Sequence, residues 1–348
     1  MQKTVAKIYL ENIRRNAKAF EKLSGVPLCA VVKADAYGHG AEEVVCALQN
    51  EAALFAVSLL DEAIALRIAA CGKDILVLTP PLNNRQILCG AQNAFLLTVG
   101  DLATADRVAE IAKNYAIPVR VHLKVNTGMN RYGMNAQTLG RVCKLFLDKP
   151  LIRVEGLYSH LFCNTRECAE KQRAVFLQMQ SVCKRYFPQV KCHLSATYGA
   201  LLGKEFAFDL VRVGIGLYGY LPDGAQDIPQ SPCLHKAMAV YAPVAATRTF
   251  TGGGAGYGGE INGRKGEKLS VLRVGYADGF LRNKQNGLYG AEKNANNLCM
   301  DACLRFGEYE RGRLVPVMID AAKTAQQTGT ISYEVLCAAT RRAERVYE

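Results

Sequence analysis

Lys33 stands directly after the apolar run Leu28 to Val32 and opens the segment Lys33-Ala-Asp-Ala-Tyr37-Gly-His-Gly40. An amine at the end of a buried strand is partly desolvated, which makes it a nucleophile able to form a Schiff base with a carbonyl. Taken alone, the residue reads as a surface lysine in a turn. The other apolar runs carry more. One closes with Lys124 and leads into Asn126-Thr-Gly-Met-Asn-Arg131; later runs deliver His160, then Ser195 and Thr197, then Arg212 before Gly214-Ile215-Gly216. Singly, His160 reads as a core histidine, Arg212 as an ion-pair partner and Thr197 as a helix cap. Cations, hydroxyls and glycines sharing one rim instead suit an anionic, phosphorylated ligand.

What could bring those residues together is a repeated strand and helix unit. Eight short runs rich in Val, Ile and Leu recur at residues 28–32, 54–58, 75–79, 95–99, 119–124, 154–159, 190–194 and 210–215. Stretches of helical spacing separate them, for example 40–50, 60–70, 101–115, 136–147 and 167–186, and an amphipathic helix over 10–23 precedes the first. The pattern predicts an α/β fold in which residues 1–225 close into a (β/α)8 barrel with its active site at the carboxyl ends of the strands. Beyond residue 222 helical periodicity fades, and segments 237–250, 269–274 and 314–318 alternate. Residues 230–348 therefore read as a smaller, mainly-β carboxy-terminal domain. The polar tract 283–297 reads as an irregular loop.

Composition narrows the function classes. Half of the 348 residues are apolar and 21% are charged, which excludes a disordered chain. No apolar run approaches 18 residues and the amino terminus is charged where a secretion signal needs an apolar core, so a cytoplasmic protein without membrane contact is expected. Thirteen cysteines without a CxxC pair or zinc spacing read as reduced thiols, with no metal site. The net charge of +12 is spread thinly, as on a solvated surface rather than a nucleic-acid-binding face. Two GxGxxG matches, Gly254 to Gly259 and Gly214 to Gly219, open no helix in a βαβ unit and indicate no dinucleotide site.

Six segments, taken in order, resemble the motifs of one family, the alanine racemases, which are pyridoxal-phosphate-dependent isomerases. They are Val31-Val-Lys33-Ala-Asp-Ala-Tyr37-Gly-His-Gly40, Lys124-Val-Asn-Thr-Gly-Met-Asn-Arg131, Val211-Arg-Val-Gly-Ile-Gly-Leu-Tyr-Gly219, Val274-Gly-Tyr276-Ala-Asp-Gly279, Cys299-Met300-Asp301 and Gly329-Thr-Ile-Ser-Tyr333-Glu-Val. The resemblance covers nearly the whole chain. It implies a homodimer with active sites shared between subunits, a small amino-acid substrate, pyridoxal 5'-phosphate as cofactor and the supply of D-alanine from L-alanine.

By position, Lys33 would carry the cofactor and act as one base, and Tyr276 of the other chain would be the base on the opposite face. Two bases suit racemisation, because a proton leaves one face of Cα and arrives at the other. The resemblance further implies cofactor contacts from Tyr37, His160, Thr197, Gly214 and Ile215, and Arg212 facing the pyridine nitrogen. Arg131 would meet the substrate carboxylate, together with Met300 of the other chain. A tyrosine of the kind at Tyr333 or Tyr218 would stand at the entrance, and Lys124 is a candidate for carbamylation.

Two departures stand out. Ser195-Ala-Thr197-Tyr198-Gly199 replaces the usual Asn-Ser-Ala and looks like serine/alanine racemase relatives, which adds a serine or broad small-amino-acid racemase as an alternative. Asn296 and Asn297 stand where a basic residue usually precedes Cys-Met-Asp. A decarboxylase would need an acidic partner at the pyridine nitrogen, where Arg212 stands. A non-catalytic cofactor-binding protein leaves Tyr276 unexplained.

Overall fold

The computed structural model describes residues 3–162, 164–225, 228–229, 231–257, 265–282, 288–289 and 298–348. By contacts the chain divides into two compact units. One comprises Arg14–Ala34 and Ala41–Leu234; the other comprises the chain up to Ile13, Asp35–Gly40 and His235–Glu348.

The chain begins with strand β1 (Val5–Ile8) and the helix Leu10–Ser24. Eight strands of the first unit follow: β2 (Leu28–Val31), β3 (Leu54–Val57), β4 (Ile75–Val77), β5 (Leu96–Val99), β6 (Val119–Lys124), β7 (Ile152–Tyr158), β8 (Lys191–His193) and β9 (Val211–Val213). These are the eight runs read from the sequence. They pair in parallel in the order β8-β7-β6-β5-β4-β3-β2-β9. The two end strands then meet through Asp209 N–H to Cys192 O at 2.9 Å and Arg212 N–H to Ser195 O at 3.0 Å, which brings the barrel nearly to closure.

Both faces of a parallel sheet are covered, so β2 to β5 are almost wholly apolar, while β6 to β9 also carry charged residues and histidines, and the connecting helices are one-sided. The helix Leu102–Asn114 shows why each forms. Asp101 caps it by accepting from Thr104 N–H at 2.7 Å, and Ala105, Val108, Ile111 and Ala112 face inward at helical spacing. Burying a valine such as Val108 contributes about 1.5 to 3 kcal/mol, and a charge there would undo the docking.

The second unit is built on β10 (Met238–Thr249), β11 (Lys268–Leu272), β12 (Cys303–Phe306), β13 (Leu314–Met318) and β14 (Glu344–Tyr347). Its sheet runs β12-β11-β10-β1-β14, with β13 also paired to β10. β1 thus lies between β10, antiparallel, and β14, parallel, although it precedes the barrel in sequence.

Two helices, Ala321–Thr328 and Ser332–Ala339, stand where helical periodicity was expected to have faded. Each spans eight residues, too few for a clear period, and the limits of the first come from caps. Asp320 accepts from Ala322 and Lys323 N–H, and Gly329 ends the first helix at φ 72°. The domain remains mainly β. The tract 283–297 lies outside the described residues apart from Leu288 and Tyr289, as do Gly258 and Gly259 of the first glycine match. No described helix is long and apolar enough to cross a membrane.

Candidate active site

Alternate residues of a strand share a face, so Lys124 and His122 of β6 point to the same side. Lys124 lies in register with Tyr158 of β7, and Tyr158 with His193 of β8. His122 lies beside Gly156, where a Cβ would stand 2.4 Å from its Nδ1. Glycine and a register shift between Val121 and His122 give the imidazole its room.

The hydrogen bonds here fix the tautomers. Arg212 Nη1, which can only donate, lies 2.7 Å from His193 Nδ1, so that nitrogen is bare and Nε2 carries the proton. His193 Nε2 then donates to His122 Nδ1 at 3.0 Å. Burial and the neighbouring cations keep both rings neutral, with His193 well below its ordinary range and His122 pushed down to about 3. Arg212 itself is buried, with Nη1 also donating to His193 O (3.1 Å) and Nη2 to Ser159 O (2.6 Å) and Leu194 O (3.1 Å). Its Nε–H is the donor that no described residue takes up. The Tyr158 ring stacks on His193 at 5.0 Å, with Lys124 Nζ 4.2 Å and the Arg212 guanidinium 5.2 Å from its centroid.

Above this layer, at the strand ends, lies His160. Burial holds its imidazole well below the ordinary value, and Arg212, Lys124, Arg131 and Lys33 all push in the same direction. One ring therefore feels four cations that come from three strands and the loops after them: Lys33 after β2, Lys124 and Arg131 at and after the end of β6, and Arg212 in β9. Burial, with Arg212 and Arg131, lowers Lys124 to about 7. Arg131 borders a cavity of about 440 Å³ that also touches Gly100, Asp101 and Asn130. Its loop is shaped by Asn126, which accepts from Gly128 N–H at 3.0 Å and Asn130 N–H at 3.1 Å. Thr197 Oγ1 accepts from Gly214 N–H at 3.4 Å and Gly216 N–H at 3.3 Å, long bonds at the start of the tight turn Ile215–Tyr218.

In the second unit, Tyr276 N–H donates to Cys299 O at 3.1 Å and Ala277 N–H to Met300 O at 3.0 Å. A Cβ on Gly275 would stand 2.2 Å from Met300 O, so glycine is what lets these two segments touch. Tyr276 and Met300 remain open to solvent, 37% and 53% exposed. Tyr333, on the helix Ser332–Ala339, lies 6.0 Å from Tyr37 between ring centroids. Burial pushes the Tyr37 phenol well above its ordinary value. Tyr218 is a core residue: it is fully buried and donates to Val31 O at 3.0 Å.

Lys33 stands two residues beyond the end of β2 and precedes an unusual backbone. Ala34, Asp35, Ala36 and Tyr37 have φ of 51°, 53°, 53° and 55°. Four consecutive non-glycine residues in the left-handed region cost about 1 to 2 kcal/mol each, a strain that surrounding contacts must offset.

The sequence matches the family described as alanine racemase, N-terminal domain, over residues 8–222, and its C-terminal domain over residues 237–347. The chain belongs to the alanine racemase family. An alanine racemase of Streptococcus uberis is 32% identical, covering 99% of this chain and 97% of that protein. Among solved structures, the alanine racemase of Clostridium difficile 630 superposes with a TM-score of 0.90 at 28% identity, covering 100% of this chain and 96% of that one. The alanine racemase of Bartonella henselae, solved with covalently bound pyridoxal phosphate, gives 0.88 at 25% identity, covering 100% of both chains.

Within this alanine racemase fold the residues singled out from sequence form two groups. Lys33, Lys124, Arg131, His160, Thr197, Arg212, Gly214 and Ile215 lie in the barrel unit, and Tyr37, Tyr276, Met300 and Tyr333 in the other. Sequence reading missed His122, Tyr158 and His193. Strand alternation could have found His122, two residues before Lys124, and His193, two before Ser195.

Proposed function

We propose that this protein interconverts L-alanine and D-alanine as a homodimer, using pyridoxal 5'-phosphate held through Lys33. The observation that carries the reading is the convergence of Lys33, Lys124, Arg131 and Arg212 on a neutral His160. Such a site favours an anionic cofactor and an anionic substrate.

The donors present suit the cofactor. Thr197 hydroxyl and the N–H groups of Gly214 and Gly216 already converge, and a phosphate oxygen could replace their long mutual bonds. Arg212 has its Nε–H to offer a ring nitrogen, and a guanidinium cannot pass on its proton, so that nitrogen stays neutral. When bound, the cofactor supplies an electrophilic carbon for the amine and a conjugated ring that draws electron density from Cα.

The rest of the chemistry belongs to the protein. Lys33 Nζ moves the proton on one face of Cα and Tyr276 Oη of the partner subunit moves it on the other. Arg131 takes the substrate carboxylate with its planar fork, and the Met300 backbone of the partner subunit completes that side. Tyr37, Ile215 and His160 would border the cofactor, and Tyr333 would stand at the entrance. Lys124, lowered to about 7, has an uncharged fraction at neutral pH able to add carbon dioxide. The resulting carbamate would turn a cation into an anion that orients Arg131.

The deciding experiment measures racemisation of each alanine enantiomer by chiral chromatography, with serine in parallel. Wild type should racemise alanine faster than serine, and Lys33→Ala should lose both activity and the visible band of the lysine-linked cofactor while keeping its fold. A Lys33→Ala protein that keeps that band, or a wild type inert towards both amino acids, refutes the assignment.

A further inference from the structure

The left-handed run after Lys33 is held at both ends by side chains that the proposed chemistry leaves without a role. At its start, Glu62 of the helix Leu60–Leu66 accepts the Ala34 N–H on Oε1 at 2.7 Å. Its Oε2 accepts Ser58 N–H at 2.8 Å and Leu59 N–H at 2.9 Å. The Oε2 bonds are ordinary helix capping. The Oε1 bond crosses from the strand end after β3 to the residue next to Lys33, and capping does not require it.

At the far end the backbone carbonyls are taken up in turn. His39 Nδ1–H donates to Ala36 O at 2.9 Å and Tyr37 O at 3.1 Å. Gly38 O accepts from Arg345 Nε–H at 2.9 Å and from Thr340 Oγ1–H at 3.0 Å, and Arg345 also pairs with Asp35. Gly38 has φ 83°, and a Cβ there would stand 2.4 Å from Leu336 O. Local preference opposes this backbone and the clamps supply what holds it.

We propose that Glu62 and Arg345 are positioning residues for Lys33, holding the left-handed turn that sets the direction of its side chain. The inference rests on the reading of Lys33 as the cofactor-bearing residue. With Oε1 gone, the Ala34 N–H loses a charge-assisted bond and the run relaxes towards ordinary backbone, carrying the Lys33 Cα with it. A displacement of about 1 Å at a reacting group costs about a hundredfold in rate.

The test uses the full-length protein with pyridoxal phosphate and the variants Glu62→Ala, Glu62→Gln and Arg345→Met, each also combined with Ala34→Gly. Glycine takes positive φ without steric cost, so Ala34→Gly reduces the need for a clamp. Glu62→Ala and Arg345→Met are each expected to lower kcat by about ten- to a hundredfold with KM within about twofold. Both should move the pH midpoint of the visible absorbance band and speed hydrogen exchange of the amides of residues 34–37. Glu62→Gln should fall between wild type and Glu62→Ala, and it carries the test if Glu62→Ala does not fold.

Ala34→Gly should recover much of each loss. Losses that simply multiply in the double variants, or exchange and band midpoint unchanged in the clamp variants, overturn the proposal. Exchange is independent of what Lys33 carries. If Lys33→Ala kept its visible band while the clamp variants exchanged faster, the assignment of Lys33 would fail and the clamp would stand.

Discussion

In the barrel, Lys124, Tyr158 and His193 sit side by side on three neighbouring strands, whereas in the second unit Tyr276 and Met300 come from irregular chain pinned by two backbone hydrogen bonds. A parallel ladder fixes which side chains are neighbours before any of them makes a contact. The Tyr276 turn lies four residues beyond the last pair of the β11–β12 ladder, Leu272 with Cys303, and depends on Gly275 lacking a side chain. Regular structure thus carries Lys124 and Arg212, and a glycine-dependent close approach carries Tyr276, the base proposed for the other face.

The strongest way to break that comparison is to separate the two regions genetically. Lys33→Ala and Tyr276→Phe chains, each nearly inactive alone, should regain about a quarter of wild-type activity when mixed in equal amounts and allowed to exchange subunits. Half of the dimers are then mixed, and each has one site of two intact. If heterodimers form, as shown by differently tagged chains, and no activity returns, both residues serve the same chain's site.

The two crowded glycines come next. A methyl on Gly275 meets backbone, which cannot step aside, whereas a methyl on Gly156 meets the His122 side chain from Cγ to Nδ1, which can shift by giving up its bond with His193. Gly275→Ala should cost about 3 kcal/mol in urea unfolding and Gly156→Ala about 1 kcal/mol. Equal losses would contradict the contrast between a pinned turn and an adaptable ladder.

Acid should then weaken the barrel through its histidines. An unfolded histidine takes a proton near pH 6.5, but folded His122 does so only near 3 and His193 well below its ordinary range. The unfolded state binds more protons in this window, so stability falls as pH drops from about 6.5 towards 3, by at most about 1.4 kcal/mol per unit for each ring. Urea midpoints that stay flat from pH 6.5 to 4 would show the rings to be protonated in the fold.

A change of the opposite sense with pH concerns Lys124. Folded it loses its proton near 7 and unfolded near 10.5, so in carbonate-free buffer stability should rise with pH across that interval. Lys124→Met should flatten the rise. Crystals grown with bicarbonate should show a carboxyl group on Nζ; a bare ammonium would reject the carbamate.

The eight barrel strands were legible because each is a short apolar run between helical stretches, and Lys33, Lys124, His160 and Arg212 because chemistry in such a fold gathers at strand ends. His122 and His193 escaped notice within strands, where a histidine reads as core. Nothing in the composition of Tyr276 or Met300 marks them; they were found by motif resemblance, since their placement depends on a backbone approach that no periodicity encodes. The left-handed turn was equally hidden, because alanine, aspartate and tyrosine give no local sign of positive φ. β12 was missed for a related reason: Arg305 occupies an inward, buried position, and donates there to Pro316 O and Tyr289 O.

The place of β1 also sets an order of events during synthesis. Its partner strands are β10 and β14, so the sheet stays incomplete until residues 344–347 have been made, more than 330 residues after β1. The barrel strands, by contrast, are all complete by residue 213. Arg345, which clamps the turn after Lys33, lies in that last strand. A nascent chain can therefore complete its barrel strands on the ribosome while the turn after Lys33 still waits for residues 344–347 to be made.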